Sequence, residues 1–314
     1  MKVLIAGSTG VLGKRLVGLL VRNGHDVFGL TRDERGDRIV HELGGTPIHG
    51  NLFNPDEITS NVDQLDAIVH AATAIPKKQR PSDTDWQIND EIRIKGIESL
   101  SEVARRTDAG QLIFQSIAWV GRPDDESPFD EETPVNPDDV TRSAATAERI
   151  ALNAVAEYGF TTTVLRGGWF YGSDAWHTQS FGEALRKRML PIIGDGSAYW
   201  SILHVDDAAT AYLSALEQRP AGIYHVVDDE PVQVGEFFRY FAEIQDAKPP
   251  MRIPVWLARI MAGSFSTDFA TTSTITNANK FKAATRWQPQ FPSYREGLAQ
   301  VVREWESETT ASSR

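Results

Sequence analysis

Residues 1–13 read MKVLIAGSTGVLG and combine a short apolar run with a glycine-rich turn. The apolar run has the length of a buried strand, and leucines recur at helical spacing over residues 12–20. Between them the glycines follow the spacing G-x-x-G-x-x-G. We expect Gly7 to allow a tight turn, Gly10 to admit a phosphate close to the backbone, and Gly13 to let helix and strand pack closely. This order predicts a helix N-terminus that binds the pyrophosphate of a dinucleotide. A purely structural turn is the alternative.

The same alternation of short apolar runs and amphipathic stretches continues through the first half of the chain. It predicts strands at residues 3–6, 26–31, 47–52, 67–72, 112–119 and 161–170. Helices are predicted between them, the longest at about residues 85–106 and 141–158. This order indicates an α/β fold with a doubly wound parallel sheet and helices on both faces.

After the sixth predicted strand the alternation ends, and the later segments are rich in aromatic residues and proline. We therefore predict a Rossmann domain over residues 1–172, to which a segment near residues 202–228 returns. A smaller C-terminal substrate lobe would comprise residues 173–201 and 229–305. Residues 306–314 are rich in Ser, Thr and Glu and are predicted to form a flexible tail.

Composition excludes several classes of protein. The chain of 314 residues has a formal net charge of −11, which argues against non-specific binding to nucleic acid or to an anionic membrane. It has no cysteine, so disulfides and thiol catalysis are excluded. The seven histidines are scattered and none pair at H-x-x-x-H spacing, so no metal site is predicted. No apolar run approaches the ~20 residues that span a bilayer, and no signal peptide is visible. We expect a cytoplasmic protein with a small-molecule substrate.

The end of the second predicted strand indicates which dinucleotide binds. An NAD site usually has an acidic residue there, which bonds the ribose 2′-OH. This chain instead has Arg32, with Arg35 and Arg38 close behind, and a guanidinium suits a 2′-phosphate. Asp33 is one residue late and remains within reach of a ribose, and Arg32 as a solvated loop charge is the alternative. The sequence therefore favours NADP(H) over NAD(H).

Several motifs in order resemble the extended short-chain dehydrogenase/reductases, which include nucleotide-sugar epimerases and dehydratases. Beyond the glycine loop they are Gly50-Asn51-Leu52, His70-Ala71-Ala72, Ile202-Leu203-His204-Val205-Asp206-Asp207, and Gly297-Leu298 with Trp305. The resemblance covers nearly the whole chain. The residues that it and the loop chemistry assign to the cofactor are Gly7, Ser8, Thr9, Gly10, Val11, Leu12, Gly13, Arg32, Asn51, Leu52, Ala71, Ala72, Ser116 and Gly167. In this family two long helices, here near residues 90–106 and 141–158, often pair in a homodimer.

The resemblance also implies a catalytic Ser/Thr, Tyr and Lys, of which only the first is present. Ser116 falls at the Ser/Thr position, although a strand-end serine with a local structural role is the alternative. The register of the catalytic helix puts Val140 at the Tyr position and Ala144 at the Lys position. No Tyr precedes Tyr158, and no Tyr is followed by Lys four residues later. The chain thus resembles atypical members that keep the cofactor site without the usual acid and base.

Large aromatic residues replace polar residues that sugar-nucleotide enzymes of this family use. Trp200 stands where those enzymes usually have a diphosphate-binding Arg, and Trp169 stands near their usual Asn. Together with Trp119 and Trp176 these residues suit a flat, apolar or aromatic carbonyl compound. The alternative is that they fill the seam between the lobes.

A proton donor for such a substrate is not obvious. Ser116, Tyr171 and His177 are candidate catalytic residues, with water or a substrate hydroxyl as other sources. His70 and His204 are expected to form hydrogen bonds in the core. The sequence predicts an NADP(H)-dependent, ketoreductase-like oxidoreductase. A nucleotide-sugar epimerase or dehydratase and a non-catalytic NADP(H)-binding sensor remain the alternatives.

Overall fold

The computed structural model describes residues 1–78 and 81–312 of the chain. The strands are β1 (Lys2–Ala6), β2 (Asp26–Thr31), β3 (Thr46–His49), β4 (Ala67–His70), β5 (Gln111–Ile117), β6 (Thr161–Gly167), β7 (Trp169–Tyr171), β8 (Ile192–Ile193), β9 (Tyr199–Trp200), β10 (Ile202–His204), β11 (Gly222–Val226), β12 (Val232–Gln233) and β13 (Arg252–Ile253). The helices are α1 (Val11–Arg22), α2 (Glu34–Glu42), α3 (Pro55–Thr59), α4 (Asp83–Arg106), α5 (Arg142–Tyr158), α6 (Trp176–Arg186), α7 (Val205–Gln218), α8 (Val234–Glu243), α9 (Val255–Thr271), α10 (Asn279–Thr285) and α11 (Tyr294–Ser312), and a 3-10 helix spans Ala118–Gly121.

Seven strands form one sheet in the order β11-β6-β5-β4-β1-β2-β3, and every pair of neighbours is parallel. The order runs outward in both directions from β1, which is the arrangement of a doubly wound sheet. The predicted fold class is therefore confirmed. The switch in direction lies between β1 and β4, so the loop after β1 opens at the edge where such sheets bind ligands.

Apolar packing explains why the strands read as continuous hydrophobic runs. Successive β1 side chains enter opposite cores, because Val3 and Ile5 pack with α1 and α7 while Leu4 and Ala6 pack with α4 and α5. A third core, rich in phenylalanine, joins α8 and α11 to β9 and β10 in the C-terminal part of the chain. These three cores fix the loops that surround the carboxyl edge of the sheet.

The sixth strand is shorter than predicted. The prediction of one strand over residues 161–170 is wrong, because β6 ends at Gly167 and Trp169–Tyr171 pair with β10 outside the main sheet. The chain leaves at Gly168, where an added Cβ would lie 2.7 Å from the carbonyl oxygen of Ser201. Only glycine permits this close approach between the two backbones.

Other boundaries also differ from the sequence prediction. β3 spans Thr46–His49 and β4 spans Ala67–His70, where strands over residues 47–52 and 67–72 are predicted. The strand predicted at residues 112–119 ends at Ile117 and continues as the 3-10 helix. The last helix runs as far as Ser312, into the segment 306–314 that is predicted to form a flexible tail. A helix that has already formed extends readily into polar residues. Residues 313 and 314 lie outside the described chain. In the described residues no helix is both long enough and apolar enough to cross a membrane.

Candidate cofactor and substrate site

The glycine loop has the close packing that its spacing predicts. Gly7 adopts a φ of +89°, and an added Cβ would lie 2.6 Å from the amide nitrogen of Ala72. At Gly13 an added Cβ would lie 2.0 Å from the carbonyl oxygen of Gly7. Gly10 is exposed, and among the described residues an added Cβ there would lie close only to the Gly7 carbonyl oxygen, at 3.3 Å. The loop is thus held tightly on the protein side and is open on the other, as a phosphate cradle must be.

The first helix begins at this loop without a side chain to cap it. Gly10 is the N-cap residue, no side-chain oxygen accepts there, and the first turn has no acidic residue. The free backbone N–H groups and the positive end of the helix dipole therefore remain available to an anion. Ser8 turns inward, and its hydroxyl donates to the carbonyl oxygen of Leu30 at 2.9 Å, which joins the loop to β2. These features fit the pyrophosphate of a dinucleotide.

The acidic residue after β2 is hydrogen-bonded within the protein, whereas the arginines beside it are exposed. The Asp33 carboxylate caps α2 by accepting a hydrogen bond from the Gly36 amide at 2.7 Å. The side chains of Arg32 and Arg35 are exposed, and Arg38 lies 3.9 Å from Glu34. Asp33 therefore caps the helix, whereas the exposed Arg32 side chain has no partner among the described residues and can turn toward a ligand.

Four further predicted cofactor residues follow β3 and β4. The Asn51 side-chain oxygen accepts from the Phe53 amide at 3.0 Å and so closes a local turn. Leu52 is half-buried beside Gly96 of α4. Ala71 and Ala72 follow β4 and press against Gly7. The structure thus brings the β1 and β4 ends into direct contact.

Ser116 takes part in a buried ionic network that sequence reasoning did not find. Its hydroxyl donates to Glu148 Oε1 at 2.5 Å. The same carboxylate accepts from Arg166 Nε at 2.9 Å and Nη2 at 2.7 Å. Ser116 and Arg166 are register neighbours on β5 and β6, and Gly167 pairs with Ile117 beside them. A Glu on α5 and an Arg on a buried strand are the signals that would have predicted this pair, since buried charges need partners.

The other two candidate proton donors also form hydrogen bonds within the protein. Tyr171 is completely buried and donates to Asp228 Oδ2 at 3.2 Å, and burial together with that carboxylate raises its pKa well above the usual range. His177 Nε2 lies 2.6 Å from the carbonyl oxygen of Phe170, and burial lowers its pKa. A neutral imidazole and a phenol bonded to a carboxylate are both poor proton donors near neutral pH.

Two further histidines lie in the core, as predicted. His70 is 1% exposed with its Nε2 2.9 Å from the Ile92 carbonyl oxygen, and burial lowers its pKa to about 4. His204 is buried with its Nε2 3.1 Å from Gln300 Oε1, and burial lowers its pKa to about 4. The described residues contain no group of three or more side chains suited to a metal ion.

The four tryptophans predicted for substrate binding are near one another but are not equivalent. Trp200 is 4% exposed and donates from Nε1 to the Phe269 carbonyl oxygen at 3.1 Å, so it is a core residue. Its ring centroid lies 5.1 Å from that of Trp169. Phe269, which the sequence analysis did not predict, packs against this pair, and its ring centroid lies 6.1 Å from that of Trp119. The His177 ring packs against both Trp169 and Trp176. Trp119, Trp169 and Trp176 are half-buried and keep part of their rings accessible.

Comparison with known proteins agrees with this geometry. Residues 3–227 match the model of the NAD dependent epimerase/dehydratase family, and the chain belongs to that family. It is similar to a 3-diazoavenalumate denitrifying reductase from Streptomyces sp, with 32% identity over 95% of this chain and 99% of that protein. It is also similar to a 4-hydroxy-2-methyl-3-oxo-4-farnesyl-3,4-dihydroquinoline-1-oxide ketoreductase from Stigmatella aurantiaca, with 28% identity over 83% of this chain and 79% of that protein.

Among solved structures, the fold is similar to that of a UDP-glucose 4-epimerase from Thermotoga maritima. The TM-score is 0.82, with 21% identity over 98% of this chain and 100% of that one. This likeness concerns the fold. The family, the sheet and the loop together support a nicotinamide dinucleotide as the cofactor and oxidoreductase chemistry as the reaction class.

Proposed function

We propose that this protein is an NADP(H)-dependent reductase of a flat aromatic substrate, in which the protein positions the reactants and supplies no proton. One observation carries the proposal, namely that the three candidate proton donors, Ser116, Tyr171 and His177, each form a hydrogen bond within the protein. A bound NADPH supplies a hydride from C4 of its nicotinamide. The chain contributes the phosphate loop, the aromatic walls and the exclusion of water.

The missing acid favours a particular kind of reducible group. A ketone takes a hydride at carbon and a proton at oxygen, so it needs a proton source. An arenediazonium ion takes the hydride alone, because Ar–N₂⁺ plus hydride yields Ar–H and N₂ with charge and atoms balanced. The first relative named above is a denitrifying reductase of a diazo compound. We therefore propose reductive removal of a diazo group from an aromatic ring as the reaction of this chain.

Ketone reduction is the second candidate, because the other relative named above is a ketoreductase. It would draw its proton from water or from a hydroxyl of the substrate. A nucleotide-sugar epimerase or dehydratase is disfavoured, because Trp200 is packed into an aromatic core at the position where the resemblance implies a diphosphate-binding Arg. Sensing of NADP(H) without turnover does not account for the half-buried tryptophans that follow β5 and β6.

A matched pair of substrates tests the reaction. We expect NADPH oxidation with release of N₂ when the purified protein receives a hydroxy-substituted benzenediazonium, and little oxidation with the acetophenone that carries the same substituents. The rate without protein is subtracted, because diazonium ions are electrophilic enough to react in solution. NADPH oxidation with the acetophenone alone would support ketone reduction instead. No NADPH oxidation with either compound would exclude both reactions.

Cofactor preference has its own test in Arg32. If the guanidinium contacts a 2′-phosphate, Arg32→Ala removes one exposed charge-assisted contact, worth about tenfold or more in NADPH affinity, and leaves NADH affinity unchanged. Arg303→Ala, on the exposed face of α11, is the matched control. The measurement is the ratio of the dissociation constants for NADPH and NADH. An unchanged ratio in Arg32→Ala would refute this assignment without affecting the proposed reaction.

A further inference from the structure

Arg93 is a buried arginine without an acidic partner. It is 5% exposed, near the middle of α4, and its Nη1 donates to the Val140 carbonyl oxygen at 3.2 Å and to Ser143 Oγ at 3.0 Å. Both of these acceptors bond Nη1, and among the described side chains the guanidinium forms no ion pair and has no acceptor for Nε or Nη2. Asp90 and Glu148 act on it only at longer range, and Glu148 already serves Ser116 and Arg166.

Such an arrangement is costly in the unliganded protein. A buried cation is normally paired, because its lost hydration must be replaced by an opposite charge and by hydrogen bonds. Burial here lowers the pKa of Arg93 below its usual range, although an arginine remains protonated. A bound anion would supply the opposite charge that the described residues do not place beside Arg93.

A second buried donor lies one helical turn away. Asn89 is 0% exposed, and its Oδ1 accepts from the Ala74 amide at 3.0 Å, which fixes the orientation of the side-chain amide. Its Nδ2 has no acceptor among the described residues. Residues four apart lie on the same face of a helix, so Asn89 and Arg93 extend from one face of α4.

This face of α4 lies at the carboxyl end of the sheet. Ala74 follows β4, and Gly96, on the same face of α4, lies so close to His70 that an added Cβ would be 2.6 Å from Nε2. On the other side Val140 and Ser143 belong to the start of α5 and the residues just before it. Open α/β sheets bind their ligands at this edge.

We propose that Arg93 and Asn89 bind an anionic oxygen of the substrate, either a carboxylate or a phenolate. This inference rests on the proposed function and deepens it by assigning a charge to the substrate. The planar guanidinium offers paired N–H donors to such an oxygen, and the Asn89 amide adds another. The sequence placed neither residue in the site, since a single Arg and Asn on a long helix carry no motif.

Binding of non-reactive anions tests this site without turnover. The protein saturated with NADP⁺ is titrated calorimetrically with 4-hydroxybenzoate, 4-nitrophenolate and the neutral analogue 4-hydroxybenzamide. We expect at least one of the two anions to bind about tenfold or more tightly than the amide, and that anion identifies the oxygen recognised. Arg93→Met should abolish the preference, whereas Arg303→Met, an exposed control, should keep it.

A second variant preserves the local structure. Asn89→Asp retains the acceptor for the Ala74 amide and replaces the free donor with a negatively charged oxygen. It should therefore weaken binding of the preferred anion about tenfold or more and leave the affinity for NADP⁺ unchanged. If Arg93→Met does not fold, Arg93→Lys replaces it and should retain part of the preference. Wild-type protein without an anion preference would overturn the proposal. So would a preference that stays at the wild-type value in Asn89→Asp and in the Arg93 variant that folds, Arg93→Met or Arg93→Lys. Anion binding without NADPH oxidation on any substrate would instead refute the proposed function alone.

Discussion

Glu148→Gln is expected to lower the free energy of unfolding by about 3–5 kcal/mol, the usual loss when one partner of a buried ion pair is removed. Glu148 and Arg166 are both almost fully buried and form two hydrogen bonds at 2.9 and 2.7 Å. The glutamine is nearly the same size, so packing stays intact while Arg166 keeps a buried charge without compensation. Urea unfolding at neutral pH measures the change.

The matched control is Glu183→Gln on α6. Glu183 pairs with Lys187 at 3.0 Å, but its side chain is 58% exposed, so water replaces the lost partner. Its unfolding midpoint should remain that of the wild type. A Glu148→Gln protein as stable as this control would show that Arg166 finds another partner, and the account of the network would be wrong.

Gly13→Ala is expected to weaken NADPH binding by about tenfold or more. The new methyl group would lie 2.0 Å from the Gly7 carbonyl oxygen, so the loop and the first turn of α1 must separate. Forcing one methyl group into such packing costs about 1–3 kcal/mol. The strain distorts the backbone that binds the phosphates, so both the affinity for NADPH and the free energy of unfolding decrease. Quenching of protein fluorescence by NADPH measures the affinity.

Gly18→Ala on the same helix provides the control. There an added Cβ would lie 3.2 Å from the end of the Arg22 side chain, which is free to move, and alanine is the better helix former. NADPH affinity should be unchanged in this variant. Equal affinity in Gly13→Ala and Gly18→Ala would place the dinucleotide away from the glycine loop.

Local sequence pattern was sufficient for the features that short-range physics controls. The second strand was predicted at its observed bounds, Asp26–Thr31, because an apolar run between turn residues defines it. The loop from Gly7 to Gly13 was predicted with its turn and its close approach, since both follow from the absence of a Cβ. The doubly wound sheet followed from the alternation of strands and helices.

Contacts between distant elements could not be predicted in this way. Ser116 was identified as a strand-end residue, but its partners Glu148 and Arg166 lie 32 and 50 positions further along the chain. Phe269 joins the tryptophans only because α9 folds back beside Trp200. Each of these contacts depends on how whole elements are packed, which periodicity does not encode. The assignment of roles to the site residues therefore remains a prediction.

The central claim is that hydride transfer occurs here without a proton from the protein. It is tested most directly by single-turnover oxidation of NADPH by a hydroxy-substituted benzenediazonium between about pH 5.5 and 7.5, with hydrogen or deuterium at the transferred position of the nicotinamide. Because Ser116, Tyr171 and His177 are all engaged, we predict a rate that does not vary with pH and that is lower with deuterium. A rate that falls about tenfold per pH unit as a group loses its proton would contradict the account.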